Sequence, residues 1–173
     1  KQAISLMGES PMLFFWRSSL IQELERLSLK MVKSNRDTIS VNDCQILAHY
    51  KFEAEQYILT LESEEIAMAT RPGQFVHLSV SGSLSMRRPI SIMSVDKDNG
   101  TFDLLYKIVG EGTRQLSERK IGDIISVIGP IGNGFEVTEN KIPLLIGGGV
   151  GMPPIIAMAQ ELKDDSSYSP YAI

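Results

Sequence analysis

A chain of 173 residues, 43% hydrophobic and 22% charged, can bury one good core, or one complete domain and part of another. Its formal net charge of −4 and the lack of any basic stripe exclude an electrostatic footprint for nucleic acid. The single cysteine, Cys44, excludes an internal disulfide and cannot supply four thiolates for an iron–sulfur cluster. No apolar run approaches the roughly 20 residues that span a bilayer, so the expectation is a cytoplasmic protein with neither a nucleic-acid nor a membrane partner.

In chain order, residues 1–37 read as a helical extension and linker. Ser19 and Gln22 have capping-box spacing, and Leu20, Leu24, Leu27 and Met31 recur at helical steps, which predicts an amphipathic helix over 20–33. Its apolar stripe suits packing, with partner binding as the alternative. Ser34-Asn35-Arg36-Asp37 has the composition of a linker.

From residue 38 the period switches to two. Ile46, Ala48, Tyr50 and Phe52 are expected on one strand face, followed by Tyr57, Leu59 and Leu61, with Glu62, Glu64 and Glu65 as a polar exit. Pro72-Gly73 is a turn before a strand over 74–80. A Gly/Ser-rich loop at 81–85 leads to a strand over 89–95, and Asp98-Asn99-Gly100 predicts a hairpin into a strand over 101–109. A short helix over 113–119 and a strand over 123–128 follow. Six or so short strands with regular turns read as an antiparallel barrel or sandwich over 38–140.

At residue 141 the pattern changes again. Ile142–Ile146 is a continuous apolar run, as in a strand buried on both faces, followed by a glycine cluster and a helix over 153–162. The polar loop at 163–170 and Tyr171-Ala172-Ile173 complete one strand–loop–helix unit and begin the next. Residues 141–173 are therefore expected to start an α/β domain.

Four segments carry candidate chemistry. Gly147, Gly148, Gly149 and Gly151 lie between a buried strand and a helix, where backbone amides can approach a pyrophosphate. Their spacing is not G-x-G-x-x-G, and a tight strand-to-helix turn would use the same residues. In Arg88-Pro89-Ile90-Ser91, Arg88 is either a solvated edge charge or a two-pronged phosphate grip, with Ser91 near a ring heteroatom. Gly112-Thr113 forms an ordinary helix cap or a second anion site. Gly132-Asn133-Gly134 is a tight turn or a loop under a flat ring. His49 and His77 fall in strand-like runs and read as structural.

Together, Arg87-Arg88-Pro89-Ile90-Ser91-Ile92, Gly110-Glu111-Gly112-Thr113, Gly129-Pro130-Ile131-Gly132-Asn133-Gly134-Phe135 and Leu144–Pro154 stand in fixed order. With Pro72-Gly73-Gln74-Phe75-Val76 they make the segment from Val41 to Leu162 resemble the ferredoxin–NADP reductase superfamily. Within it, the segments are most similar to the electron-transfer subunits of dihydroorotate dehydrogenase B. The resemblance implies a six-stranded antiparallel Greek-key barrel binding FAD, then the start of a Rossmann-like domain for NAD(H) or NADP(H). It implies that Arg88, Pro89, Ile90 and Ser91 hold the flavin, with Arg88 on the pyrophosphate and Ser91 near N5. Leu105, Tyr106 and Lys107 match the next FAD-contacting segment, Gly112 and Thr113 the diphosphate amides, and Gly147 to Gly151 the nicotinamide pyrophosphate loop.

Ile90 stands where many members carry a flavin-stacking tyrosine. The resemblance also implies a [2Fe–2S] cluster only in a C-terminal part beyond this chain, and no metal within it. Electrons would pass to a catalytic flavoprotein subunit or another redox partner, and Met31-Val32 resembles a native start. The alternatives are a reductase feeding a ferredoxin, sulfite reductase or hydrogenase, and a non-catalytic barrel serving as an interaction module.

Overall fold

Alternating apolar and polar side chains lay down six barrel strands: β1 (Ser40–Phe52), β2 (Gln56–Glu62), β3 (Phe75–Leu78), β4 (Arg88–Asp96), β5 (Thr101–Lys107) and β6 (Ile124–Ile131). The computed structural model describes residues 38–80, 86–138, 142–164 and 171–172. The helix expected over 20–33, the rest of the 1–37 extension with Met31-Val32, and the loops at 81–85 and 165–170 lie outside the described residues.

Every neighbouring pair of barrel strands is antiparallel, and the order β1-β2-β5-β4-β3-β6 closes on itself. β6 returns beside β3 after the β3–β4–β5 meander, which is the Greek-key connection. The core is the inward half of each strand. Leu59 and Leu61 of β2, Phe102 and Leu104 of β5, Ile92 of β4 and Val127 of β6 are all buried. The expected barrel is thus borne out.

Two short helices add to this core. Helix α1 (Glu64–Ala69) begins where a polar exit from β2 was expected. Ser63 caps it, its Oγ accepting from the Ile66 amide at 3.3 Å, and Ile66 is driven into the core. Glu64 and Glu65 suit the first turn of a helix, so the same residues that resemble a loop start α1. Helix α2 (Glu111–Ser117) starts two residues earlier than the sequence suggested and buries Leu116. At the β4–β5 hairpin the Asn99 amide donates to Asp96 Oδ1 at 3.0 Å, and Gly100 takes φ +64°.

One face of β1 differs from expectation. The β1–β2 register shifts between Ile46 and Ala48, a bulge that inverts the alternation after it. Ile46 stays in the core, but Tyr50 and Phe52 turn outward, 60% and 51% exposed. His49 takes the inward place opposite Leu59. Its Nδ1 lies 3.0 Å from the Arg119 carbonyl, which can only accept, so the proton is on Nδ1. Nε2 then accepts from the Tyr106 hydroxyl at 2.8 Å, and the Tyr106 ring stacks on Tyr57 with centroids 5.3 Å apart.

Beyond the barrel, β7 (Leu144–Leu145) and β8 (Tyr171–Ala172) pair in parallel, joined through helix α3 (Met152–Asp164). α3 sets Met158 and Leu162 against Leu145. The run Ile142–Ile146 is not buried on both faces here: Ile142, Leu144 and Ile146 are exposed, because α3 covers only the Leu145 side of a two-stranded sheet.

The bulge sets an order of mutational costs. His49→Ala removes the acceptor of a buried hydroxyl and is expected to cost about 1–3 kcal/mol, whereas Tyr50→Ser stays within about 0.5 kcal/mol. Urea denaturation measures both, and the reverse order would contradict the bulged register.

Candidate functional site

Strands β4 and β5 part to leave an open seam. The β4–β5 ladder runs from Asp96↔Thr101 to Ile92↔Leu104 and stops there. Past that point Arg88–Ser91 pair only with β3, and Leu105–Lys107 pair only with β2. Two strand edges therefore face each other without pairing, leaving backbone donors and acceptors available to a ligand. Two of the segments singled out in the sequence are the walls of this gap.

The two arginines at the start of β4 have different work. Arg87 is tied into the barrel: Nη1 donates to the Ser126 carbonyl at 2.9 Å and Nη2 to the Ser126 hydroxyl at 3.1 Å. Arg88 donates from Nη1 to the Met86 carbonyl at 3.1 Å, and no carboxylate among the described residues pairs with it. Its guanidinium lies over Gly112. A Cβ built there would sit 2.7 Å from Cζ and 2.8 Å from Nη2, so only glycine lets the two meet. Arg88 and the first turn of α2, separate in sequence, thus meet at the end of the seam.

The other candidates fall into place around it. Ser91 is half-buried on the outer face of β4, opposite Phe75, while Pro89 is exposed opposite His77. Ile90 points the other way, 7% exposed within the core. Leu105 is half-buried on the outer face of β5 and Lys107 is exposed. The Tyr106 side chain turns into the barrel towards His49, so at the seam it presents backbone. The Thr113 hydroxyl folds back on its own helix start, accepting from the Val109 and Gly110 amides at 3.0 and 3.3 Å. That is the cap reading of Thr113, and its side chain is already occupied.

The glycine loop divides by function. A Cβ on Gly147 would meet Met152 Sδ at 2.9 Å, so this glycine lets α3 pack. Gly149 adopts φ +55°, which disfavours any other residue. Gly148 and Gly151 face open space, and neither packing nor a positive φ requires glycine there. The turn Gly149–Gly151 comes within 8 Å of β5, Cα to Cα, and α3 lies against β4. The loop thus approaches β5, one of the two strands that part at the seam, and the helix it starts lies against the other. By contrast, Gly132 and Gly134 belong to a turn packed on residues 71–75, which the sequence left open as a loop beneath a ring.

Sequence reasoning did not identify Gln74 as a junction residue. It is 1% exposed and bonds to both the Arg71 amide and the Gly132 carbonyl. A glutamine after Pro-Gly carries no periodic signal of such a role. Cys44 is buried, and its burial pushes the thiol up to about 12. No group of three or more His, Cys, Asp or Glu that could hold a metal is found among the described residues, nor any helix long and apolar enough to cross a membrane.

Residues 45–135 match the family described as the oxidoreductase FAD-binding domain. The chain is 42% identical over 111 residues to the electron transfer subunit of dihydroorotate dehydrogenase B (NAD(+)) from Bacillus mycoides, covering 61% of this chain and 43% of that protein. The corresponding subunit from Lysinibacillus sphaericus is 42% identical over 124 residues, 69% of this chain and 48% of the relative. The chain thus spans about half the length of these curated relatives. Among solved structures, an NADH-dependent reduced ferredoxin–NADP oxidoreductase superposes with TM-score 0.69 at 30% identity, over 75% of this chain and 46% of that one. Phthalate dioxygenase reductase, at 16% identity and TM-score 0.63 over 77% of this chain and 43% of that one, shares the fold.

Two outcomes follow from the geometry. Arg87→Ala removes charge-assisted bonds and is expected to cost about 1–3 kcal/mol of stability, while Arg88→Ala leaves stability within about 0.5 kcal/mol, both by denaturant titration. Cys44 should resist an aromatic disulfide reagent at pH 8 until the protein unfolds. Burial keeps the folded thiol protonated to about 12, well above the ordinary cysteine range, so its contribution to stability is complete below that ordinary range and lost as pH rises towards 12. Rapid native labelling would overturn this.

Proposed function

Because this chain belongs to the oxidoreductase FAD-binding domain family, we propose that it is the flavin-holding part of an NAD(P)H-linked electron-transfer subunit of the dihydroorotate dehydrogenase B kind. The observation that carries the reading is the β4–β5 seam, closed at one end by Arg88 lying over Gly112. A diphosphate suits that place: it takes donors from the guanidinium, with Gly112 at the start of α2 against the same side chain. The seam suits an extended ligand, with unpaired strand edges along its length.

In this reading Arg88 holds the pyrophosphate and Ser91 donates or accepts at N5. Pro89 and Ile90 fix the strand between them, and Leu105, Tyr106 and Lys107 present backbone from the opposite wall. Gly112 and Thr113 supply amides to the diphosphate. When bound, FAD supplies the hydride and single-electron chemistry. The chain's own task is to hold the ring in register and keep its reacting edge open to a nicotinamide. Gly147, Gly148, Gly149 and Gly151 would receive the pyrophosphate of NAD(H) or NADP(H), and the exposed Gly148 and Gly151 support that role. No side chain at the seam has to act as an acid or base.

In this reading electrons would pass through a [2Fe–2S] cluster, for which this chain lacks the four cysteines, to a catalytic flavoprotein subunit or another redox partner, which the similarity to electron transfer subunits supports. The whole assembly would serve pyrimidine biosynthesis in the cytoplasm.

The test is direct. Mild denaturation of the purified protein should release FAD, identified by absorbance, fluorescence and chromatography against FMN. Arg88→Ala is expected to weaken FAD binding at least tenfold, equivalent to about 1.4 kcal/mol or more. Gly112→Ala should do the same with little loss of stability, since the added methyl pushes aside only the flexible end of Arg88. A protein that neither carries nor takes up FAD would refute the reading, and unchanged affinity in both variants would refute that place for the diphosphate.

A further inference from the structure

Gln74 and Thr70 are the buried polar residues among those described, and Gln74 is the more deeply placed at 1% exposure. Its amide joins two segments that are 58 residues apart: Oε1 accepts from the Arg71 amide at 2.7 Å, and Nε2 donates to the Gly132 carbonyl at 2.8 Å. The orientation is fixed by chemistry, since a flipped amide would set donor against donor and acceptor against acceptor. The Gln74 carbonyl also accepts from the Ile92 amide at 3.1 Å, next to Ser91. One residue is therefore bonded to the seam strand β4 and to the turn that leaves β6.

Further contacts moor that turn. The Phe135 amide donates to the Pro72 carbonyl at 2.8 Å, and a Cβ on Gly73 would sit 3.1 Å from the Phe135 ring. A Cβ on Gly134 would meet Arg71 Cβ at 2.8 Å. From this turn the chain runs on to β7, the glycine loop and α3. A cleft of about 430 Å³ between Arg71, Phe135, Glu136, Met158, Glu161 and Leu162 adjoins the mooring, so direct packing is incomplete where the barrel meets α3. The polar bonds of Gln74 accordingly supply orientation at this junction.

We propose that Gln74 is a positioning residue that fixes the glycine loop and α3 against the β4–β5 seam, and so sets the alignment of nicotinamide and flavin rings. The inference rests on the flavin reading above. A misplacement of about 1 Å between reacting groups can lower a rate by up to a hundredfold. The function of Gln74 is thus expressed in transfer between the two cofactors and not in holding either one.

The experiment uses the full-length protein. Gln74→Leu should retain its FAD, be reduced normally by dithionite, and be reduced by NAD(P)H about tenfold more slowly or worse in an anaerobic single turnover. In the ligand-free protein, hydrogen exchange at the Phe135 amide should accelerate while the Leu104 amide in the core is unchanged. Gln74→Glu decides the matter even where the leucine variant does not fold. Ionised, it sets a carboxylate oxygen against the Gly132 carbonyl; protonated, it restores both bonds. Its NAD(P)H reduction rate, relative to wild type, should therefore recover as pH falls. Flavin-replete variants with normal rates and no pH recovery would overturn the proposal, as would a loss of FAD in proportion to the loss of rate. Wild-type protein that takes up no FAD would instead refute the flavin reading itself.

Discussion

A closed antiparallel barrel hydrogen-bonds its strands on both edges, and between β4 and β5 this one interrupts that pairing where both strands run on. The β4–β5 ladder ends at Ile92↔Leu104, although both strands continue. Continuing without partners is costly unless something else satisfies the exposed backbone. The rest of the barrel makes the break sustainable. Ile90 anchors one wall from inside, and the His49–Tyr106–Tyr57 stack anchors the other. Each wall also keeps a full ladder on its far side, with β3 and β2 respectively.

The same division of labour separates residues that look alike. Arg87 spends its donors on Ser126, whereas Arg88 keeps its guanidinium at the seam. Gly147 yields space to a helix, Gly149 takes a left-handed backbone, and Gly148 and Gly151 stand open. Residues fully used by the fold hold it together, whereas packing does not require glycine at positions 148 and 151, and the proposed reading assigns them, with Arg88, to ligands. That distinction separates Thr113, whose hydroxyl is occupied by its own helix start, from Arg88, which no carboxylate among the described residues pairs with.

The strands, the hairpin and the change to α/β character were legible because period-two burial and turn chemistry are local. Leu59 and Leu61, or Phe102 and Leu104, announce an inward face by their spacing alone. The β1 bulge was not legible: Tyr50 and Phe52 are apolar, and nothing local says that Leu47 interrupts the pairing. Helix α1 was missed because a serine followed by two glutamates fits both a polar loop and a capped first turn. Ile142–Ile146 reads as a strand covered on both sides, but coverage depends on what packs against it.

The sequence by itself determined the six barrel strands, the inward faces of β2 and β5 and the glycine-rich segments where phosphate-binding chemistry is expected, since each is written in patterns a few residues long. Only the tertiary structure decided which arginine faces the seam, that Gly112 is the surface Arg88 rests on, and that Gln74 joins the two sides of the fold. Those facts depend on register and on where separate strands converge. A pairing over 58 residues, such as Gln74 with Gly132, leaves no periodic trace in the chain that makes it.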